Sequence, residues 1–381
     1  MTDRVAPEST AGPTDRPASG DATAPLTASF PAAVLAVDVG NRKTDLALVA
    51  ADGSLIGAVR GPTASHQAVG MERGLDLLVD LAKRAAGVTD EPSTLAAAGR
   101  RLRAIPSAGS LEVTGPIARV GAFCLAGADT PRDIRRLARA IQRRGLVAEA
   151  LVRNDADAAL RAGAPEGWGV ALVCGEGFNC LGVSPDGRSV RFPALGAISG
   201  DWGGGYGLGM AALTAALRGR DGRGPRTAFE RAVPAHFGLR RPLDVTYAIY
   251  EGRLAERRIG ELAPLVFAVA RAGDAEARGI ADHMADELAG AAVATVRRLR
   301  LVRAAVPVIL SGGVFATDDA AFHARIRDRI RAAVPRAEVG LLGLPPVAGA
   351  ALLALDRLAA PVSARDRLRA EMTWARLVPD A

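Results

Sequence analysis

The sequence predicts an α/β protein of two lobes with a ligand cleft between them. Three observations support this. First, five turns follow one another, four of them punctuated by Gly: Asp38-Val-Gly-Asn-Arg-Lys-Thr44, Asn154-Asp155-Ala156, Gly175-Glu-Gly-Phe-Asn179, Gly200-Asp-Trp-Gly-Gly-Gly205 and Leu310-Ser-Gly-Gly-Val314. Four of them adjoin an apolar, β-branched run, so each places N–H groups, a carboxylate or an amide where a strand stops. Second, the order strand, Gly turn, strand, Asp-Gly turn, strand occurs twice, with Asp52-Gly53 and Asp186-Gly187 in matching places. This reads as an internal repeat, one β-meander opening each lobe. Third, a length of 381 residues suits two domains.

The elements follow in order. Residues 1–31, rich in Pro, Ala, Thr, Ser and Asp, read as a disordered tail. They have no basic start followed by an apolar core, so they are not read as a signal peptide. Val34–Val37 is a strand, followed by the Asp38–Thr44 turn, the strand Leu46–Val49, the Asp52-Gly53 turn and a strand near Ile56–Arg60. Ala68–Ala86 carries apolar residues at helical spacing, and residues 88–117 give no clear pattern. Ala118–Leu125 is a buried strand, Asp133–Gln142 a helix ended by Gly145, and Val147–Val152 a strand running into Asn154-Asp155. The pattern then restarts with strands at Val170–Val173, Leu181–Val183 and near Ser189–Phe192. Met210 to about Arg303 is mostly helical, with a loop at Arg218–Arg226. Val306–Leu310 is a buried strand, Ala320–Val334 an amphipathic helix, Leu341–Leu344 a short strand and Val347–Leu358 a small-residue helix. An amphipathic tail helix carries Leu368, Met372, Trp374 and Leu377. The resulting division is a tail at 1–31, an N-terminal lobe at 32–164, and a C-terminal lobe at 165–358 with a helical insertion at about 210–303. A C-terminal helix within 359–381 then packs back on the N-terminal lobe.

Residue usage sharpens the site. The chain has three asparagines, Asn41, Asn154 and Asn179, all inside these turns. It has two lysines, Lys43 and Lys83, and Lys43 is in the first turn. Asn prefers turns because it tolerates positive φ, which explains its presence in turns but not in these particular ones.

The net charge of +7 does not point to nucleic acid. The arginines are dispersed on helical stretches and interleaved with acids, and no basic run alternates with aromatics. Cys124, Cys174 and Cys180 form no C-x-x-C pair and read as buried thiols in a reducing cytoplasm. The four histidines have no metal spacing, and no run of ~20 apolar residues suggests a membrane span. The expected setting is therefore cytoplasmic, with neither membrane nor nucleic acid as partner. A homodimer is allowed by the sequence and not required by it.

These motifs resemble the actin-like ATPase and sugar kinase superfamily. Their order is most similar to the BadF/BadG-type ATPase family, which includes N-acetylglucosamine kinases. The family's first turn reads Asp-Gly-Gly-Gly-Thr-Lys-Thr, and Asp38, Gly40, Lys43 and Thr44 match it. Leu125-Ala-Gly-Ala-Asp129 is similar to its Ala-Gly-x-Asp segment, and Asn154-Asp155-Ala156 matches its Asn-Asp-Ala. Gly175, Gly177 and Asn179 match Gly-Thr-Gly-Ser-Asn, and Gly200, Asp201, Gly203 and Gly205 resemble Gly-Asp-Glu-Gly-Ser-Gly. Ser311-Gly312-Gly313 and Pro345-Pro-x-x-Gly349-Ala350 resemble its nucleotide-side turns. The likeness spans about Val34 to Leu355. Arg42 and Phe178 depart from it, as does Glu176, which stands where a phosphate-contacting Thr is expected. Arg42 and Glu176 occupy facing turns and are expected to pair across the cleft mouth.

The resemblance implies two RNase H-like lobes, ATP and Mg²⁺ as cofactors, and transfer of phosphate to an amino sugar or related carbohydrate. Phosphoryl transfer needs positioning, charge neutralisation and a base for the acceptor hydroxyl. Asp38 is the expected Mg²⁺ holder, through water. Gly40, Asn41, Lys43, Thr44, Gly175, Gly177, Asn179, Ser311, Gly312 and Gly313 are the remaining nucleotide-side residues. Asn154, Asp155, Asp129 and Asp201 are the sugar side, with Asp155 or Asp129 as the base. Asp129-Thr-Pro before a helix also suits an N-cap. Trp202 packs over the sugar or anchors its loop, and the anchor is favoured. Two other readings stay open: a non-catalytic sugar or nucleotide sensor, motivated by Glu176 and Phe178, and an ATPase activator of another enzyme.

Overall fold

The computed structural model describes residues 32–87 and 115–377. The tail assigned to 1–31 and most of the unassigned segment 88–117 lie outside the described residues. Strands β1 (Ala32–Val39), β2 (Lys43–Val49) and β3 (Leu55–Pro62) form the first meander. The helix expected over 68–86 is two, α1 (His66–Val69) and α2 (Met71–Ala85), because Gly70 breaks it at φ +85°. Then come β4 (Ala118–Leu125), α3 (Pro131–Arg143), β5 (Val147–Asn154) and α4 (Asp155–Gly163). The second meander is β6 (Gly169–Cys174), β7 (Phe178–Val183) and β8 (Ser189–Arg191). Five helices follow: α5 (Gly204–Asp221), α6 (Phe229–His236), α7 (Pro242–Tyr250), α8 (Ala263–Arg271) and α9 (Ala275–Arg298). The chain continues with β9 (Pro307–Ser311), α10 (Ala320–Ala333), β10 (Glu338–Leu341), α11 (Pro346–Arg357) and α12 (Val362–Glu371).

Two elements differ from expectation. The loop placed at 218–226 is helical as far as Asp221, where left-handed Gly222 stops α5. The strand placed at 341–344 lies earlier, at Glu338–Leu341, because it pairs in parallel with Pro307–Leu310.

The two sheets share one topology. The first has the order β3-β2-β1-β4-β5, with an antiparallel meander on one side and parallel β4 and β5 on the other. The second, β10-β9-β6-β7-β8, repeats it with β6 in the place of β1 and β9 in the place of β4. The doubled sequence pattern is therefore a doubled sheet.

Strand alternation sorts the first sheet into two faces. Leu35, Val37, Leu46, Leu48 and Phe123 pack under α2 and α3 through Leu75, Leu78, Leu137 and Ile141. Val34, Ala36, Ala47, Ala122 and Cys124 form the other face, under Val347, Ala351 and Leu355 of α11 and Leu368, Met372 and Leu377 of the tail. Each such fully buried Val or Leu contributes ~1.5–3 kcal/mol of transfer free energy. Thus α11, counted in sequence with the C-terminal half, has its buried face on the N-terminal sheet. It crosses α4 so closely that a Cβ on Gly349 would stand 1.9 Å from the Ala158 carbonyl oxygen. The other side of α4 (Ala156, Ala159, Leu160, Ala164) packs on Ala171 and Leu181 of the second sheet. Helix α4 is therefore wedged between the sheets, with its N-terminus at the strand ends.

Candidate active site

In the first sheet the parallel register aligns Asp38 with Cys124 and Arg153, and Val39 with Leu125 and Asn154. In the second, Val173 aligns with Ser311. The ends of β1, β4, β5, β6 and β9, with the turns that follow them and the starts of β2 and β7, thus carry the predicted site residues apart from Asp201, which lies between β8 and α5; the carboxyl ends of parallel strands are where α/β sheets bind ligands.

Asp38 continues the Val34, Ala36 series and so faces α4 and α11. It is 7% exposed. Burial raises its carboxyl to about 7; Lys43 pulls it down, and Asp45 and Asp155 add to the rise. Asp45 stands directly opposite Asp38 in the register and is fully buried. Its charge is met by Arg60 on β3, at 2.6 and 2.9 Å, and by the Lys43 ammonium. Lys43 and Arg60 both lie 5.9 Å from the centroid of the Trp374 ring, so the C-terminal tail covers this pair. The hairpin tip is fixed by Thr63 Oγ1 donating to the Gly40 carbonyl at 2.7 Å and by Ser65 Oγ donating to Asn41 Oδ1 at 3.2 Å. Thr44 is not brought to the cleft. Alternation turns it to the other face, where its hydroxyl accepts the Ala64 N–H at 2.8 Å.

Beyond β4, Thr130 and not Asp129 caps α3. Thr130 Oγ1 accepts the Asp133 N–H at 3.2 Å, and Asp133 reciprocates in a capping box. Asp129 is left to accept from Asn154 Nδ2 at 2.9 Å. Asn154 caps α4 by accepting the Ala156 N–H at 3.0 Å, and also accepts from Asn179 Nδ2 at 2.8 Å. The three side chains form one chain of hydrogen bonds from β4 to the second meander. Asn154 is 1% exposed, and its hydrogen-bonding groups are turned to this chain. Asn179 Oδ1, at the far end, is buried without a partner among the described residues. Burial lifts both Asp155 and Asp129 to about 6. For Asp129 the next largest influence is the like charge of Asp155, and for Asp155 it is the opposing charge of Arg191.

On the C-terminal side, the Gly175–Asn179 turn is docked on the start of α5. Gly205 N–H donates to the Gly175 carbonyl at 2.7 Å and Tyr206 N–H to the Glu176 carbonyl at 3.1 Å. Gly312 has φ +109°, and a Cβ there would lie 2.3 Å from the Cys174 carbonyl oxygen, so no other residue fits between Ser311 and Gly313. The expected pair of Arg42 and Glu176 is not formed among the described residues. The Glu176 turn is pulled towards α5 by its backbone, while Arg42 Nη2 reaches the backbone of Gly260, 3.2 Å from where a Cβ there would stand. Asp201 is held within its own loop, accepting from Ser199 Oγ. Trp202 is an anchor: its ring lies 4.3 Å from that of His283 on α9. The three cysteines are buried and free.

The structure thus brings Asp38, Asp129, Asn154, Asp155 and Asn179 to one floor, with Gly40, Asn41 and Lys43 on one rim and Gly175, Gly177, Ser311, Gly312 and Gly313 at the ends of the opposite sheet. Sequence reasoning missed Asp45, Arg60, Arg191 and Trp374. The first two had a signal, since charges inside apolar strands at alternating positions imply a buried pair.

For a divalent cation the donor chemistry fits: Asp38 and Asp155 are hard oxygen donors, and their mutual repulsion is of the kind a cation relieves. No group of three or more His, Cys, Asp or Glu among the described residues is placed to ligate a metal directly. The fit is to an ion held through water, as Mg²⁺ usually is. No helix among the described residues is long and apolar enough to cross a membrane.

The BadF/BadG/BcrA/BcrD ATPase family model matches residues 35–354. An N-acetylmuramic acid/N-acetylglucosamine kinase of Clostridium acetobutylicum is 32% identical over 195 residues, covering 51% of this chain and 64% of that one. The match therefore spans less than two thirds of that relative. An N-acetyl-D-glucosamine kinase of Dictyostelium discoideum is 26% identical over 335 residues, 84% of this chain and 97% of that one. A solved structure from Chromobacterium violaceum, provisionally named an N-acetylglucosamine kinase, shares the fold with TM-score 0.62 and 22% identity over 84% of this chain and 98% of its own.

Proposed function

Because the chain belongs to the BadF/BadG/BcrA/BcrD ATPase family, we propose that it is an ATP-dependent kinase that phosphorylates an amino sugar of the N-acetylglucosamine type. The observation that carries this is the hydrogen-bonded floor of Asp129, Asn154 and Asn179 beside Asp155. It puts two carboxylates raised to about 6 between the sugar-side turns and the glycine turns. A base with its pKa near the working pH is the one best matched to accept a hydroxyl proton. The names of the two curated relatives support the same substrate class.

In this reading the acceptor hydroxyl gives its proton to a carboxylate of the Asp129/Asp155 pair. Its oxygen then forms a bond to the γ-phosphorus, and the bond from that phosphorus to the β–γ bridging oxygen breaks, releasing ADP. The glycine turns present backbone N–H groups to the phosphates. Asp38 would hold Mg²⁺ through water, and when bound that ion supplies neutralising charge to the β- and γ-phosphates. Closure of the two sheets about α4 excludes water and limits loss of ATP to hydrolysis. Purified protein assayed for ADP release with N-acetylglucosamine, glucosamine, N-acetylmannosamine and glucose tests this. Release above the sugar-free rate with at least one amino sugar is expected, and equal rates with and without every sugar contradict it.

A further inference from the structure

The glycine turns of the two sheets carry only two cationic side chains, Arg42 and Lys43, both in the first turn. Lys43 is committed. Its ammonium bonds to buried Asp45, which also holds Arg60, and it lies 5.9 Å from the centroid of the Trp374 ring. Arg42, at the exposed hairpin tip, has no ion pair or side-chain hydrogen bond among the described residues. Its guanidinium reaches across the cleft, with Nη2 standing 3.2 Å from where a Cβ on Gly260 would be. Gly260 is buried in the 3-10 turn Glu256–Leu262 ahead of α8. The same point is 3.4 Å from Tyr206 N and 3.5 Å from the Gly205 carbonyl carbon. Gly205 and Tyr206 are the residues whose N–H groups hold the Gly175 and Glu176 carbonyls of the second hairpin. One side chain thus leaves the first hairpin and ends against the support of the second. That seat gives it no counter-charge, since Glu256 bonds to Tyr206 and Glu261 to Arg258.

We propose that Arg42 is the side chain that binds the phosphate chain of the nucleotide, spanning it from the first hairpin to the second. This rests on the nucleotide half of the kinase reading above. A nucleoside triphosphate brings several negative charges over a floor that already holds Asp38, Asp129 and Asp155. Backbone N–H groups supply partial charges to it, and a full side-chain charge has to come from Arg42 or Lys43. The Lys43 ammonium is turned to Asp45, so the guanidinium is the one left to the ligand. A guanidinium is planar, permanently charged and offers its donors as a fork that matches two phosphate oxygens at once. Arg42 stands where the first turn of the family has Thr, so a neutral contact is replaced here by a charged one that also reaches the other lobe.

Titration calorimetry of the full-length protein with ATP, ADP and adenosine, in Mg²⁺ and without sugar, tests this. Arg42→Thr should weaken ATP and ADP by about tenfold or more, the effect of losing a charged hydrogen-bonding partner, and leave adenosine within about twofold. Arg42→Lys keeps the charge but not the fork, and should fall between Arg42→Thr and wild type. The dependence of ATP affinity on salt should be shallower in Arg42→Thr, because one screened attraction is gone. Where adenosine binds too weakly to titrate, this salt dependence decides. Thermal unfolding of Arg42→Thr should match wild type, since the bonds that fix the hairpin tip run from Thr63 and Ser65. An equal loss for all three ligands, or a loss of ATP affinity with unchanged salt dependence, marks a contact that only holds the lobes. Unchanged ATP affinity marks a solvated arginine. Each of these overturns the proposal and leaves the kinase reading intact. A wild-type protein that binds no nucleotide overturns both. One that binds ATP through Arg42 but releases no ADP with any sugar overturns the kinase reading alone.

Discussion

Asn179 of the second meander donates its amide to Asn154 at the end of β5, at 2.8 Å, joining the two sheets at the cleft floor. Asn154 in turn donates to Asp129, so the carboxylate on one lobe and the glycine hairpin on the other share one polar chain. Through this bond the strand ends of the first sheet and the hairpin of the second are held together.

Asn179→Ala should therefore damage transfer more than folding. It removes one hydrogen bond, worth about 1 kcal/mol in stability, but releases Asn154. A kcat loss of roughly 10-fold or more, with a melting temperature within a few degrees of wild type, is expected from steady-state kinetics and thermal unfolding. Asn154→Ala removes the α4 cap as well, for about 1 kcal/mol more. It also takes away a donor that stabilises ionised Asp129. The acid limb of kcat against pH should move up in this variant where Asp129 is the base and stay in place where Asp155 is.

Asp155→Asn and Asp129→Asn should each leave nucleotide affinity nearly intact, since Asp155 opens α4 and Asp129 precedes α3, and neither is part of a glycine hairpin. The variant that removes the base should lose about 10²–10⁴ in kcat, with titration calorimetry of ATP unchanged. Near-normal turnover in both would exclude the pair as the source of the base.

The raised carboxylates make the ligand-free protein less stable at high pH. Asp38 binds its proton up to about 7 in the folded chain but only to the ordinary carboxylate range when unfolded. Its favourable contribution is full below about 4 and is lost as pH rises through about 7. The melting temperature of the apo protein should therefore fall between pH 5 and 8. Asp38→Asn should flatten that fall and stabilise the apo protein at pH 8. Mg²⁺ with nucleotide should raise the wild-type melting temperature at pH 8 and fail to do so for Asp38→Asn.

Trp374→Ala uncovers Lys43 and Arg60 at the first hairpin. A cation–π contact is worth ~0.5–1 kcal/mol at such half-exposed sites. The expected result is a rise of a few-fold in KM for ATP with the sugar KM unchanged.

Much of this was legible in the sequence because strand alternation and glycine turns are local. The doubled meander follows from Asp52-Gly53 and Asp186-Gly187, and both sheets bear it out. Of the three asparagines Asn41 stands in its turn, while Asn154 ends β5 and Asn179 lies at the start of β7, and these two bond to each other. What was not legible depends on pairing between distant segments. Arg60 meets Asp45 only because β3 and β2 adopt one register. Trp374 reaches Lys43 because the tail returns to the first sheet. Arg42 missed Glu176 because the Gly175–Asn179 turn is drawn to α5 by backbone bonds, which composition does not reveal. Thr44 joins Lys43 on the nucleotide side through the match to the family's first turn, but one residue along a strand is the opposite face, and its hydroxyl meets the Ala64 N–H.

The central claim is phosphate transfer to a sugar hydroxyl across this floor. The most direct measurement is ³¹P NMR of the protein with Mg²⁺, ATP and N-acetylglucosamine, followed with time. One phosphomonoester resonance should appear for each ADP formed, and it should be nearly abolished in an Asp129→Asn, Asp155→Asn double variant. ATP loss that yields only inorganic phosphate, with N-acetylglucosamine and every other amino sugar tried, would contradict the account.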